Sequence, residues 1–172
     1  MKNKLLIVIV AGLLLNGCSL YQTQQTNNTN KKESGNNIDV EQNKKTIKNN
    51  KLNLGNQNLQ KIPEYIFEQK NLEELDVSNN RISGAIQGEI RHLQNLKVLK
   101  ASNNQMTGVP AEIGQLKNLQ LLDLSNNQLT GLPYELGNLQ NLEILDISGN
   151  NYSELDLGTI QEKLSKNVII IK

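Results

Sequence analysis

The sequence predicts an α/β fold: a solenoid of about five repeats with a parallel sheet on its concave side, closed at the C-terminus by a capping helix and strand. Three observations predict it. Asn-Leu pairs ending at Leu72, Leu96, Leu119 and Leu142 are spaced 24, 23 and 23 residues apart, the mark of a repeat architecture. Counted from those leucines, position four holds Leu52, Leu75, Leu99, Leu122 and Leu145, and position six holds Leu54, Val77, Ala101, Leu124 and Ile147, the alternation of a short strand. All three prolines, Pro63, Pro110 and Pro133, fall in register in the second half of the unit.

The 172 residues divide by composition into three parts, 1–17, 18–50 and 51–172. The first begins with Lys2 and Lys4 and runs uncharged from Leu5 to Leu15, a basic region and a short apolar core of the kind that directs export. Eleven residues of helix rise about 17 Å, roughly half of a ~30 Å hydrocarbon core, so a stable membrane span is disfavoured. Leu15-Asn16-Gly17-Cys18 resembles the bacterial lipobox, although Asn16 is a less usual occupant of its position. That resemblance implies that Cys18 becomes the first residue of the mature chain, carries acyl groups and anchors the protein in a membrane. Cys18 is the only cysteine, so no internal disulfide is available. The rival reading is a simple cleaved signal that happens to end near a cysteine.

From Ser19 to about Asn50 the chain is rich in Asn, Gln, Thr, Lys and Ser, with no sustained period and few apolar residues to bury. It reads as a tether with a root-mean-square span on the order of 30 Å. A prion-like reading of the Asn/Gln richness would need aromatics that are nearly missing here.

In the repeats, position nine reads Gln57, Asn80, Asn104, Asn127 and Asn150, and position eleven Leu59, Ile82, Met106, Leu129 and Tyr152. The columns give L-x-x-L-x-L-x-x-N-x-L. An amide that donates and accepts can satisfy backbone groups of its own and the neighbouring turn, so Asn80, Asn104, Asn127 and Asn150 are expected to form a structural ladder. The convex side takes Ile66, Ile90, Ile113 and Leu136 with Leu93, Leu116 and Leu139. Gln87 stands where the other units have proline, which predicts a less restrained backbone there. One unit exposes too much leucine to stand alone, and only stacking makes a continuous core.

The pattern, LDLSNNQLTGLP from Leu122 to Pro133 above all, is similar to the leucine-rich-repeat family, of the 23-residue bacterial and plant disease-resistance type. ISGAIQGEI in the second unit leans toward the 24-residue plant type. The resemblance covers roughly residues 50 to 172 and implies an interaction scaffold. After the last repeat, Ser153-Glu154-Leu155-Asp156 resembles a capping box, and Leu157, Ile160 and Leu164 recur at helical spacing. Val168 to Ile171 reads as a final buried or edge strand, with Lys172 placing a charge where unwanted pairing would begin. No dedicated cap is evident before Lys51.

Strand positions three, five and seven face solvent on the concave side. The expected ligand-binding residues are Glu74, Val98, Leu121 and Ile144 at position three, and Asp76, Lys100, Asp123 and Asp146 at position five. Val98, Leu121 and Ile144 form an apolar stripe about 10 Å long, enough for one extended segment of a partner. Against this stands the reading that these are ordinary consensus filler.

Eighteen Lys and Arg against 17 Asp and Glu leave a net charge of +1, and with aromatics at 3% neither nucleic acid nor a charged lipid surface is an expected partner. The single histidine, His92, has no nucleophile in view, and the serines at position seven recur only because the repeat recurs, so no enzyme is expected. Asp123 and Asp146 lack further oxygen ligands for calcium, so neither a metal nor another cofactor is expected. The expected protein is an exported, monomeric, membrane-anchored lipoprotein of the bacterial envelope that binds a protein or peptide. A structural envelope protein without a dedicated ligand is the alternative.

Overall fold

The computed structural model describes residues 47–172. Cys18, the signal segment and most of the expected tether lie outside the described residues. Six short strands form the concave sheet: β1 (Lys51–Asn53), β2 (Glu74–Asp76), then β4 (Val98–Lys100), β6 (Leu121–Asp123), β7 (Ile144–Asp146) and β8 (Ile169–Ile171), each parallel to the next in that order. Between them lie β3 (Ser83–Gly84) and β5 (Gln105–Met106), which pair in parallel as a separate two-stranded sheet. This second sheet begins in the ISG stretch that the sequence sets apart from the other units. The register is one residue per rung, with Leu52, Leu75, Leu99, Leu122, Leu145 and Ile170 in line.

The core is the stack of those residues with position six behind them; Leu54, Val77, Ala101, Leu124 and Ile147 are fully buried. Each such leucine contributes about 1.5–3 kcal/mol through burial, but only because the next unit covers it. The convex side is built of 3₁₀ turns, Glu64–Glu68, Gly88–His92, Ala111–Gln115 and Tyr134–Asn138, whose Ile66, Ile90, Ile113 and Leu136 are buried. These turns approach closely toward the C-terminus, where a Cβ on Gly114 would stand 2.3 Å from the carbonyl oxygen of Glu135.

Pro63 enters its turn at φ −60° and ψ 135°, and Gln87 at φ −63° and ψ 141°. Gln87 thus enters its turn in the same extended conformation as the proline, and its side chain ties it to the preceding unit. Gln87 Oε1 accepts from the Ile62 N–H at 3.3 Å and its Nε2 donates to the Ile62 carbonyl, so the amide clasps the preceding unit. Where proline restrains the backbone covalently, glutamine does so by hydrogen bonding.

At the C-terminus, α1 (Glu154–Lys163) replaces the last convex turn. Ser153 caps it by accepting from the Asp156 N–H at 3.3 Å, and Leu157, Ile160 and Leu164 are buried against the core. At the other end Lys48 and Lys51 exchange backbone hydrogen bonds at 3.2 and 3.1 Å, around Asn49 and Asn50 with φ of 53° and 61°. Two successive positive φ values are those of a tight hairpin turn that asparagine tolerates. Ile47, placed in the tether by composition, packs on the edge of the core.

Candidate functional site

The concave surface is held in place from below by asparagine. Asn104 Nδ2 donates to the carbonyls of Val77, Ala101 and Ser102 at 3.0, 3.1 and 3.2 Å, while its Oδ1 accepts from the Ile82 N–H at 3.0 Å. Asn80, Asn127 and Asn150 make the corresponding bonds in their own units, each also reaching the unit before. A second set was not read from the sequence: Asn95, Asn118 and Asn141 donate to the carbonyls of Lys70, Gln94 and Lys117 at 2.9, 2.9 and 2.8 Å. Its signal was present in the Asn-Leu pairs, used there only to measure the period.

Position eight is a third column that sequence reasoning passed over. Asn56, Asn79, Asn103 and Asn126 have φ between 53° and 61°, and Gly149 takes over with φ 67°. This left-handed residue turns each chain out of the sheet, and asparagine is among the few non-glycine residues that adopt it at low cost. A Cβ on Gly149 would lie 2.5 Å from Asn126 Oδ1.

All eight expected binding residues come together on the six-stranded sheet, yet they divide into two kinds of surface. Toward the N-terminus Glu74 accepts from Lys51 at 2.8 Å and Lys100 at 3.1 Å, closing a charged network across β1, β2 and β4. Those two hydrogen bonds hold the Glu74 carboxyl below the usual carboxylate range, and the Glu74 bond raises Lys51. Toward the C-terminus Val98, Leu121 and Ile144 line up in register and are half-buried, less exposed than the sequence suggests, because neighbouring rungs shield each other. The line extends one rung further to Ile169, which is 60% exposed.

Asp76, Asp123 and Asp146 have a local task. Each Oδ1 accepts both the N–H and the hydroxyl of the serine two residues on, at 2.9 and 2.6 Å for Asp76 and 3.0 and 2.7 Å for both Asp123 and Asp146. The second oxygen of each carboxylate takes no part in these bonds. Among the described residues no three His, Cys, Asp or Glu side chains cluster as metal ligands. His92 is exposed on the convex side, in a recess with Phe67 and Glu89. Chemically the concave surface offers shape, apolar contact and carboxylates.

A repeated parallel strand, an asparagine ladder and a convex turn define a leucine-rich-repeat solenoid. The family profiles agree: "Leucine rich repeat" matches residues 50–106, and "Leucine Rich repeats (2 copies)" matches 94–133 and 117–161. The chain belongs to the leucine-rich-repeat family. Among solved structures it is similar to a leucine-rich-repeat protein of Leptospira interrogans, at 39% identity and a TM-score of 0.60, covering 64% of this chain and 28% of that one. It is also similar to the leucine-rich-repeat ectodomain of the receptor kinase SOBIR1 from Arabidopsis thaliana, at 30% identity and a TM-score of 0.56, covering 70% and 66%. A third is the plant peptide hormone receptor RGFR1, solved in complex with RGF2, at 35% identity and a TM-score of 0.57, covering 70% of this chain but 20% of the receptor. The chain thus spans under a third of the Leptospira protein and of RGFR1. Comparison with curated proteins gives no match. No described helix is long and apolar enough to cross a membrane.

Proposed function

We propose that this chain is a non-catalytic protein-interaction module, displayed on the bacterial envelope as a lipoprotein acylated at Cys18, that takes a protein or peptide ligand on its concave face. The observation that carries this reading is the in-register line Val98, Leu121 and Ile144, half-exposed where every other aliphatic of those strands is buried. Beside it the free oxygens of Asp123 and Asp146 supply polar contacts, and Glu74, Asp76 and Lys100 bound the apolar region on the N-terminal side. Receptor neighbours such as RGFR1, solved with RGF2, favour the same use of the fold.

A photo-crosslinking residue placed at Leu121 in the full chain on intact cells is expected to give discrete adducts, which the same residue at His92 on the convex side does not. Changing Val98, Leu121 and Ile144 to serine should remove the adducts while far-ultraviolet circular dichroism stays unchanged. Identical adducts from both faces would instead favour a structural envelope protein without a dedicated ligand. For the anchor, Cys18→Ala should abolish labelling by a clickable palmitate analogue and release the chain from the membrane fraction; retained membrane association would overturn that part.

A further inference from the structure

The two ends of the six-stranded sheet are treated differently. At β1 the edge is closed by the Lys48–Asn50 turn, whose Lys48 bonds back onto Lys51, and both exposed side chains of the strand, Lys51 and Asn53, are polar. That is how soluble proteins blunt an edge strand. At β8 none of these devices is present among the described residues. The strand is Ile169-Ile170-Ile171, among the described residues it pairs only with β7, and Ile169 and Ile171 are 60% and 43% exposed. The charge expected to guard this edge is drawn aside, since Lys172 Nζ lies 3.1 Å from Glu154 Oε2 on α1.

We propose that β8 pairs antiparallel with β8 of a second copy of this chain, joining two concave sheets into one. The ladder to β7 uses Ile169 and Ile171: the Ile169 N–H donates to the Glu143 carbonyl at 2.8 Å, and the Ile171 carbonyl accepts from Ile147 at 3.0 Å. Alternation then turns the N–H and C=O of Ile170 to the free side. A two-fold contact must be self-complementary, and a strand of three identical residues centred on Ile170 meets that demand. Ile170 exchanges both backbone bonds with its copy, and Ile169 faces Ile171 of the second copy, and the reverse. The four exposed isoleucines then cover one another on the concave side, continuous with the line through Ile144 and Leu121. The Lys172 ammonium, paired with Glu154 on α1, is not left as a lone charge along this edge.

A three-residue strand falls short of the ~800 Å² per partner of a stable interface, so the pairing is weak in solution and is best read by trapping. In this register Ile169 and Ile171 of the two copies form a pair without hydrogen bonds, with Cα atoms about 4.5 Å apart, within disulfide reach. Two full-length chains in a Cys18→Ala background, one with Ile169→Cys and one with Ile171→Cys, are mixed under mild oxidation. The mixed disulfide should form at least tenfold faster than the Ile169→Cys homodimer, and tenfold faster than any disulfide of Leu155→Cys, a position 78% exposed on α1. Equal rates, or no mixed disulfide because another segment covers the edge, overturn the proposal. In the chain without new cysteines, the sedimentation coefficient should rise with concentration, and Ile169→Lys with Ile171→Lys should remove that rise; a rise that survives both lysines also overturns it.

Discussion

Asn104 shows what one side chain does in this fold. Its amide satisfies three carbonyls and one N–H, all in a dry loop between two units. Alanine there strands several partners, each buried group left unsatisfied costing about 1–3 kcal/mol, so Asn104→Ala should destabilise by about 3 kcal/mol in urea unfolding even after water reaches some of them. Gln57 holds this column in the first unit at the edge of the stack. Gly149 is under a different constraint, conformational and steric at once. Gly149→Ala forces a Cβ onto a backbone of φ 67° and against Asn126, and should lower stability by about 1–3 kcal/mol. Gly108→Ala, with nothing within 4 Å of its Cβ, is the control and should leave the thermal midpoint nearly unchanged. The asparagines of position nine were legible because their chemistry is the same in every unit. Position eight was not, although Asn recurs there in four units, since what Asn56, Asn79, Asn103, Asn126 and Gly149 share is a left-handed φ, a backbone property and not a side-chain bond.

Between elements the same demand is met by different chemistry, and this is where sequence reasoning fell short. The missing proline at Gln87 was visible, but the clasp onto Ile62 depends on a contact 25 residues away that no column displays. Its consequence reverses the consensus expectation. Gln87→Pro would gain roughly 0.4–1 kcal/mol by stiffening the unfolded chain, yet it leaves the Ile62 N–H and C=O unpaired, at about 1–3 kcal/mol each. The variant should be less stable than the parent in urea melts, and no more stable than Gln87→Ala would indicate that the clasp accounts for most of the loss. The charged network Lys51–Glu74–Lys100 ties β1 to its neighbours and carries a pH dependence. Because the Glu74 pKa is depressed in the folded chain, its stabilisation is present above the ordinary glutamate value and is lost as pH falls through the folded value. Lys51 is raised, so its share is present at neutral pH and is lost only as pH rises through its folded value, far into alkali. The Leu54 amide, which bonds the Asp76 carbonyl at 2.7 Å, should therefore lose hydrogen-exchange protection on acidification from neutral pH through the carboxylate range more than amides of β7 do, and Glu74→Gln should flatten that difference.

Across the whole molecule, stability is a property of the stack, because each unit is covered only by its neighbours and the two end units depend on what closes them. The period, the parallel sheet and the capping helix could all be read from letters, since they rest on spacing and burial. The extension of the apolar line to Ile169 could not, because Val168 to Ile171 lies beyond the last repeat and the period does not assign its register. The ends are covered unequally: β1 follows only the short turn from Ile47 to Asn50, whereas the convex turn of the last unit, Tyr134–Asn138, is covered by the ten residues of α1, with Leu157 and Ile160 fully buried. Opening should therefore start at β1 and reach the C-terminal units last. Truncating both anchors of the helix, Leu157→Ala with Ile160→Ala, removes about 2–5 kcal/mol at each site from one end only. Hydrogen exchange read by mass spectrometry should then show peptides from β7 and β8 exchanging before those from β1, the inverse of the parent chain. If the order is unchanged and both ends merely exchange faster together, the domain opens as a single cooperative unit and α1 is one more part of the core, not the cap that sets where unfolding begins.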